Sequence, residues 1–591
     1  MALGVRRSNA MTSPCLVTGS APSGSQKTVD PRELEMPATN LAQMNAAEIT
    51  IRTMAANGLD TLYCLPGVQN DDFFDALVRA GSPLKPVHTR HEQATAYMAL
   101  GAALASGKPQ AYCVVPGPGF LNTTTPLATA QSLCAPVLAV SGQIYEQYIG
   151  KGIGFLHEIP DQLGIMRTLT KWAGHIEGPQ DAAAKSRAAF DELLSGAPGP
   201  VGLECGWNMW RSTAEVAFDD TPSIRKTPPL DLDAIKAAAK ALAGAKRPVI
   251  LVGGGAQDAS AEVTRLSARI QAPVIAYRTG QGVMDARNPF SHRFPAGHTL
   301  WKDVDVVIGI GTRLQHMLDW GRDDAMKVIH LDIDPSRIGR TCTPDIAIVA
   351  DAAEGVSALL DALERNGDKP ADRTEEMRAL RAQMDGEFAR LAPQKAWIDA
   401  IRAELPEDGI LIEELTQISY ASRVLYPVYK PRTYLSTGYQ GTLGWGYPTA
   451  LGAKVAMPDR AVVAVHGDGG FMFGANEMAT AVAHDIGVVA LVFSDNAYGN
   501  VKRIQEKVYE GRTVASNLVN PDFVRLAESF GMRAERVTTP DALRPALKAA
   551  IKANAPALIE IPVGEFPDPW SFFFRKKVRG TAPSWSMKGP D

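Results

Sequence analysis

The stretch RAVVAVHGDGG, residues 460–470, constrains the fold of this chain more than any other part of it. An unbroken apolar run has no polar face to give to solvent, so it reads as a strand covered on both sides. The glycines after it supply the turn that a parallel strand needs before its crossover helix. Similar runs recur: TLYCL (61–65), QAYCVV (110–115), PVLAVSG (136–142), PVILVGGG (248–255), PVIAY (273–277), DVVIGIG (305–311), KVIHLDID (327–334), DGILIEE (408–414), GVVALVFSDN (487–496) and PALIEIPV (556–563). Helical stretches alternate with them, among others at 71–80, 92–106 and 122–133. The expected class is α/β, with doubly wound parallel sheets.

At 591 residues the chain exceeds one hydrophobic core, and three blocks emerge. The first covers 44–210. The second, 230–365, follows a Pro-containing linker near 221–229. The third, 396–565, follows the charged segment RTEEMRALRAQMDGEFARL. Residues 1–43 carry Arg6 and Arg7 but no apolar core of a signal peptide. They are expected to be a disordered tail or an over-long start, with Met11, Met36 and Met44 as other starts. A tail, 566–591, closes the chain.

A net charge of −4 offers no global field for nucleic acid or an anionic membrane, and no apolar run has the length of a membrane span. Six cysteines, Cys15, Cys64, Cys113, Cys134, Cys205 and Cys342, are scattered without metal-ligand spacing, as reduced thiols of a cytoplasmic protein would be.

Chemistry concentrates where strands end. Asp468 reads as exposed, framed by Gly467, Gly469 and Gly470, whose bare amides let a phosphate approach. Asp495 ends the next strand, one strand–helix–strand excursion later, so the two carboxylates should lie side by side at the carboxyl edge of a sheet. Two oxygen ligands beside free amides suit a Mg²⁺ bridging to a diphosphate. Taken alone, the pair suits a structural turn or a helix cap as well. Glu92, in VHTRHEQATAYMA, opens a small-residue helix, where a first-turn carboxylate also serves the helix dipole.

The combination of RHEQ, GDGG and SDNAYGN resembles the thiamine diphosphate enzymes of the acetolactate synthase and benzoylformate decarboxylase-like family. CLPGVQNDDFFDAL, PGPGFLNTTTPLATAQSLCAPVLAVSGQ, VIHLDIDPSRIG and STGYQGTLGWGYPTALGAKVA extend the likeness over about 44–565. The resemblance implies a pyrimidine-binding first domain, a central dinucleotide-binding-like domain and a diphosphate- and Mg²⁺-binding third domain; the aromatics and the cations Arg575, Lys576, Lys577 and Arg579 of the tail 566–591 suit a lid that meets an anionic substrate, or equally a surface-packed end. It makes Glu92 the catalytic carboxylate that bonds the aminopyrimidine. Leu443 would bend the cofactor, the Gly441 carbonyl would accept from its amino group, and Asp468, Asp495 and the Ala497 carbonyl would ligate Mg²⁺. The family carries Asn where Asp495 stands, which leaves Asn496 as a substitute ligand. Gly469, Gly470, Tyr498, Gly499, Thr416 and Gln417 would line the cofactor. Val68, Gln69, His91, Phe120, Asn122, Gln143 and His157 would line the substrate pocket, with Phe120 narrowing the acceptor space.

The implied activity is that of a lyase or carboligase: the thiazolium ylide adds to a 2-oxo acid, CO₂ leaves, and an aldehyde is released or a second carbonyl attacked. Other readings are a 2-hydroxyacyl-CoA or oxalyl-CoA-type lyase, a flavin-dependent 2-oxo acid oxidase, and a non-catalytic cofactor-binding regulatory subunit. The segment NPFSHRFPAGHTLWKDVDVV is shorter than the family's flavin-contacting stretch, which makes bound FAD doubtful and leaves a vestigial or ADP-like site. A homodimer or homotetramer is implied, with active sites at the subunit interface.

Overall fold

In the computed structural model, residues 41–365 and 370–580 are described. Three six-stranded sheets carry the chain, and every strand pair within them is parallel. Numbered along the chain within each sheet, the strands of the first sheet (Thr61–Cys64 to Val201–Gly206) lie in the order 2-1-3-4-6-5. The third sheet (Ile410–Glu413 to Ala557–Pro562) has the same order. The central sheet (Pro248–Val252 to Ile346–Val349) has the order 3-2-1-4-5-6 of dinucleotide-binding folds.

The apolar runs become the central strands, because helices cover both faces of each sheet. Val462–Gly467 and Val488–Ser494 are neighbours in register, Gly467 opposite Phe493, so Asp468 and Asp495 leave the same edge. The residues 122–133 expected as one helix form two, Pro118–Asn122 and Thr124–Leu133, broken at Thr123. Leu41–Gln43, expected in the tail, instead begin a strand, Leu41–Asn45, antiparallel to Thr213–Ala217. Residues 1–40, with Met11 and Met36, lie outside the described residues.

Helix Glu92–Ser106 is buried along most of its length against helix Gly446–Ala456 of the third domain. Glycine makes the crossing possible. A Cβ on Gly101 would run into the Thr449 carbonyl oxygen, and one on Gly452 into that of Met98. The N-terminal end of this helix is thereby fixed relative to the glycine turns of the third sheet.

The described part of the C-terminal tail begins beside the third sheet and then crosses to the central domain. Phe566 N donates to Gln417 Oε1 (3.2 Å), Lys507 pairs with Asp568 (2.9 Å), Arg575 with Glu387 (2.7 Å) and Arg579 with Asp323 (2.8 Å). Two of the tail cations are thus already matched by protein carboxylates. Residues 581–591 of the expected lid lie outside the described residues. Among the described residues no helix is long and apolar enough to cross a membrane.

Candidate active site

Asp468 differs from its expectation: it is 1% exposed. Burial follows from its position at the first turn of the short helix Asp468–Phe471, where the chain folds back under the loop 494–499. Its Oδ2 accepts from the Asn496 amide (2.7 Å) and from Asn520 Nδ2 (2.7 Å), and its Oδ1 from the Gly469 amide (2.8 Å). Asp495 is half-buried. Its Oδ2 accepts from Gln417 Nε2 (3.0 Å) and its Oδ1 from the Ala497 amide (3.2 Å). Burial first, and then the Asp468 charge, hold the Asp495 carboxyl above the usual carboxylate range. Among the described residues no ion pair with Lys, Arg or His neutralises either carboxylate.

Asn496 turns away from this pair. Its backbone is left-handed (φ 56°), its side chain is exposed, and its Oδ1 accepts from Asn520 Nδ2 (3.0 Å). A Cβ on Gly469 would lie 2.6 Å from the Tyr498 ring, and one on Gly499 2.6 Å from Asp495 Oδ2, so the glycines admit groups that any side chain would exclude. Gly499 opens helix Gly499–Val508. Thr416 caps helix Gln417–Leu425, and Gln417 Oε1 accepts from the buried Arg503 (2.7 Å). Gly441 has φ 60° in an exposed turn, and half-buried Leu443 follows it. The Thr442 hydroxyl between them is bonded by Tyr97 Oη (3.0 Å) from the Glu92 helix.

Glu92 is the first residue of its helix. His91 caps that helix, its Nδ1 accepting from the Gln93 amide (3.1 Å). Glu92 Oε2 accepts from Asn122 Nδ2 (3.0 Å), so the short helix Pro118–Asn122 after strand Gln110–Val114 orients this carboxylate. Glu477, buried in the third domain, accepts from the Arg90 amide (3.1 Å), tying the Glu92 turn to the segment that carries Asp468.

Val68, His91 and Asn122 are exposed, and His157 is half-buried in a left-handed conformation (φ 68°) with its Nδ1 buried and unpartnered. Gln69 is fully buried and donates to the Leu156 carbonyl (3.2 Å), while its Oε1 has no partner. Two further expected pocket residues are buried. Phe120 is fully buried in the core with Tyr112 and Leu127, because the apolar side of Pro118–Asn122 packs inward. Gln143 is buried with both ends engaged, by Glu204 (3.4 Å) and the Ile144 amide (2.9 Å).

Asn520, Arg503, Glu414, His466 and Glu477 were missed by sequence reasoning. Asn520 sits in a polar loop, and Arg503 on a helix whose apolar period, Val501, Ile504 and Val508, does not single it out. GDGGFMFGANE did hold a signal, a Glu that follows the glycine turn within an apolar surround. Among the described residues no three His, Cys, Asp or Glu side chains form a metal cluster. A cation here would therefore draw on two carboxylates, main-chain oxygen and the ligand itself.

A separate cavity of about 310 Å³ lies between the first, central and third domains. Gly253–Gly255, Gly311, Arg278, Arg313, Arg337 and Asp332 are among its lining residues. Arg278 Nε is buried there without a partner.

The chain matches three family profiles: the thiamine pyrophosphate enzyme N-terminal TPP binding domain over residues 44–165, the central domain over 235–359, and the C-terminal TPP binding domain over 415–561. It is 34% identical to a probable acetolactate synthase large subunit of Methanocaldococcus jannaschii, the alignment covering 88% of this chain and 92% of the relative. It is 30% identical to the acetolactate synthase isozyme 3 large subunit of Escherichia coli (87% and 93%). A probable 2-ketoarginine decarboxylase of Pseudomonas aeruginosa is 31% identical (88% and 94%).

Proposed function

Because the chain belongs to the thiamine pyrophosphate enzymes and is acetolactate synthase-like, we propose that it decarboxylates a 2-oxo acid with thiamine diphosphate and Mg²⁺. The product is an aldehyde, or a ligation product when a second carbonyl takes up the retained fragment. Bound thiamine diphosphate supplies the carbon nucleophile and the electron sink for cleavage beside a carbonyl.

The observation that carries this reading is the pair of buried Asp468 and half-buried Asp495, two carboxylates without a protein cation at the edge of a glycine-lined cradle. Such a donor set fits a hard divalent cation that shares its shell with a diphosphate. Asp468, Asp495 and the Ala497 carbonyl would hold Mg²⁺. Asn496 is the weaker candidate, since Asn520 engages its side-chain oxygen. Gly469, Gly470, Tyr498 and Gly499 would border the diphosphate, with Thr416 and Gln417 facing them. Gly441 and Leu443 would hold the pyrimidine end.

Glu92 would share a proton with the pyrimidine ring, and the Asn122 amide would steer its carboxylate. Val68, His91 and His157 would border the substrate. The chain would act as a homodimer or homotetramer, with Glu92 of one subunit serving the cradle of another. The 310 Å³ cavity, with its unpartnered Arg278 Nε, suits the phosphates of an ADP-type ligand. The absorbance spectrum of the purified protein tests the flavin alternative.

The deciding experiment is CO₂ release from a panel of 2-oxo acids, including ones with cationic side chains, beside Glu92→Gln. The expected result is release that the substitution lowers by about two orders of magnitude or more. Equal silence of both proteins across the panel, with thiamine diphosphate bound, would overturn the decarboxylase reading.

A further inference from the structure

Glu414 and His466 form a buried pair outside the roles described so far. Glu414 continues the strand Ile410–Glu413, its amide donating to the Val465 carbonyl (3.0 Å), and its side chain is 1% exposed. Its Oε2 lies 2.6 Å from His466 Nδ1, and its Oε1 accepts from the Gly444 amide. Gly444 belongs to the loop that holds Gly441 and Leu443. His466 stands two residues before Asp468. One carboxylate therefore bridges the loop expected at the pyrimidine end and the turn expected at the diphosphate end.

The surroundings are shaped around this pair. A Cβ on Gly470 would lie 2.6 Å from Glu414 Oε1, and one on Gly446 2.8 Å from Glu414 Oε2 and 2.7 Å from the imidazole. Neither glycine has a positive φ, so space rather than conformation requires glycine there. Trp445, between the two loop glycines, donates its Nε1 to the Glu413 carbonyl (3.0 Å), a second tether of the loop to the same strand end. His466 Nε2 is buried and without a partner, facing the rings of Tyr447 and Phe471.

We propose that Glu414 and His466 are positioning residues, a strut that sets the spacing between the two halves of the cofactor cradle. The proposal rests on the thiamine diphosphate reading of the site. Its effect runs through Gly444 and the Asp468 turn, and neither side chain touches the cofactor. A replacement that keeps the hydrogen-bond pattern should then keep function, whereas a truncation should not.

The test compares Glu414→Ala with Glu414→Gln, and His466→Ala with His466→Asn. Glutamine keeps an acceptor for the Gly444 amide, and asparagine keeps a donor near the place of Nδ1. Two readouts are taken: amide hydrogen exchange of the 441–446 segment in cofactor-free protein, and thiamine diphosphate binding followed by tryptophan fluorescence at saturating Mg²⁺. Both alanine variants should speed exchange in this segment and weaken binding by about tenfold or more, as expected for loss of a hydrogen bond to a charged group, while the paired variants stay near wild type. Thermal stability falls under a merely structural role as well, so it does not decide. Should Glu414→Ala fail to fold, the His466 pair decides alone. Alanine variants that exchange and bind like wild type would overturn the strut, as would conservative variants that rescue neither readout. Faster exchange at 441–446 in a protein whose wild type binds no thiamine diphosphate would leave the strut standing and sink the cofactor reading instead.

Discussion

Asp468 and Asp495 leave adjacent strand ends as two carboxylates, and the shared burial holds the Asp495 proton more tightly in the folded chain than in the unfolded one. The sign of its contribution follows. A carboxyl with a raised folded-state pKa lowers stability as pH climbs from the unfolded value towards the folded one, and above both the penalty is complete. At neutral pH the Asp495 charge is therefore disfavoured in the folded chain, and a divalent cation bound as proposed would relieve it. Asp495→Asn should melt higher than wild type in metal-free buffer, by about 1 kcal/mol once solvent screening is allowed for, and should gain less from added Mg²⁺. Melting curves with and without Mg²⁺ check this, and an Asn variant that melts lower without metal would sink the like-charge account. The side-by-side placement of these two residues was legible because each follows an apolar run that reads as a buried parallel strand. Phe120 was less legible: after the turn PGPG no period marks whether a ring faces a pocket or the core, and the fold packs it beside Tyr112 and Leu127. Asn520 left no trace, since a polar residue in a polar loop gains meaning only from the fold that brings it to Asp468.

At the level of elements, contacts that join strand ends and helix crossings position the site, and they differ in how far the sequence reveals them. The central strands of each sheet were legible as apolar runs, because burial on both faces removes polar positions. The edge strands Lys85–His88, Trp172–Ile176 and Arg533–Arg536 were not: half-covered strands mix polar and apolar residues and read as loops. One of them, Trp172–Ile176, holds a triad. His175 lies between Glu204 (3.0 Å) and Glu146 (2.9 Å) and binds the segment after strand Val137–Gln143 to the sheet. Burial alone would pull this imidazole down, but the hydrogen bonds and charges of the two glutamates outweigh it and push its pKa up to about 9. A raised histidine contributes stability that is whole below its unfolded pKa of about 6.5 and is lost as pH rises through about 9. The protein should lose on the order of 2 kcal/mol across that interval, and His175→Gln should flatten this part of the profile. Denaturant melts at a series of pH values test it. The helix crossing offers a sharper case: Gly101→Ala drives a methyl group into the Thr449 carbonyl and should cost about 2–3 kcal/mol, as overpacking does. A neutral result in the same melts would mean that the two helices slide apart freely, and the fixed placement of Glu92 would go with it.

The first and third sheets share one strand order, in line with the similar size and strand–helix alternation of their blocks, because parallel pairing depends on three-dimensional neighbours rather than on residue identity. Two domains of one topology, one presenting Glu92 and the other Asp468, invite a shared site, and the family implies that the sharing crosses between subunits. The helix Gly499–Val508, which starts at the candidate cradle, exposes Val501, Ile504 and Val508 along one face, a surface that suits cover by another chain. Complementation turns this into a decisive prediction. Glu92→Gln and Asp468→Asn chains should each be nearly inactive alone. If every site takes Glu92 from one chain and Asp468 from another, a mixed dimer holds one site with both residues intact and one with both replaced. Random reassortment makes about half of the dimers mixed, with half of their sites intact, so mixing equal amounts should recover about a quarter of wild-type turnover. If Glu92 and Asp468 of the same chain serve one site, every site in every dimer keeps a lesion, and mixing recovers nothing. Isolating dimers that carry both of two different affinity tags, one on each variant chain, confirms that chains have exchanged, so a silent population of doubly tagged dimers would refute the shared site rather than leave it open.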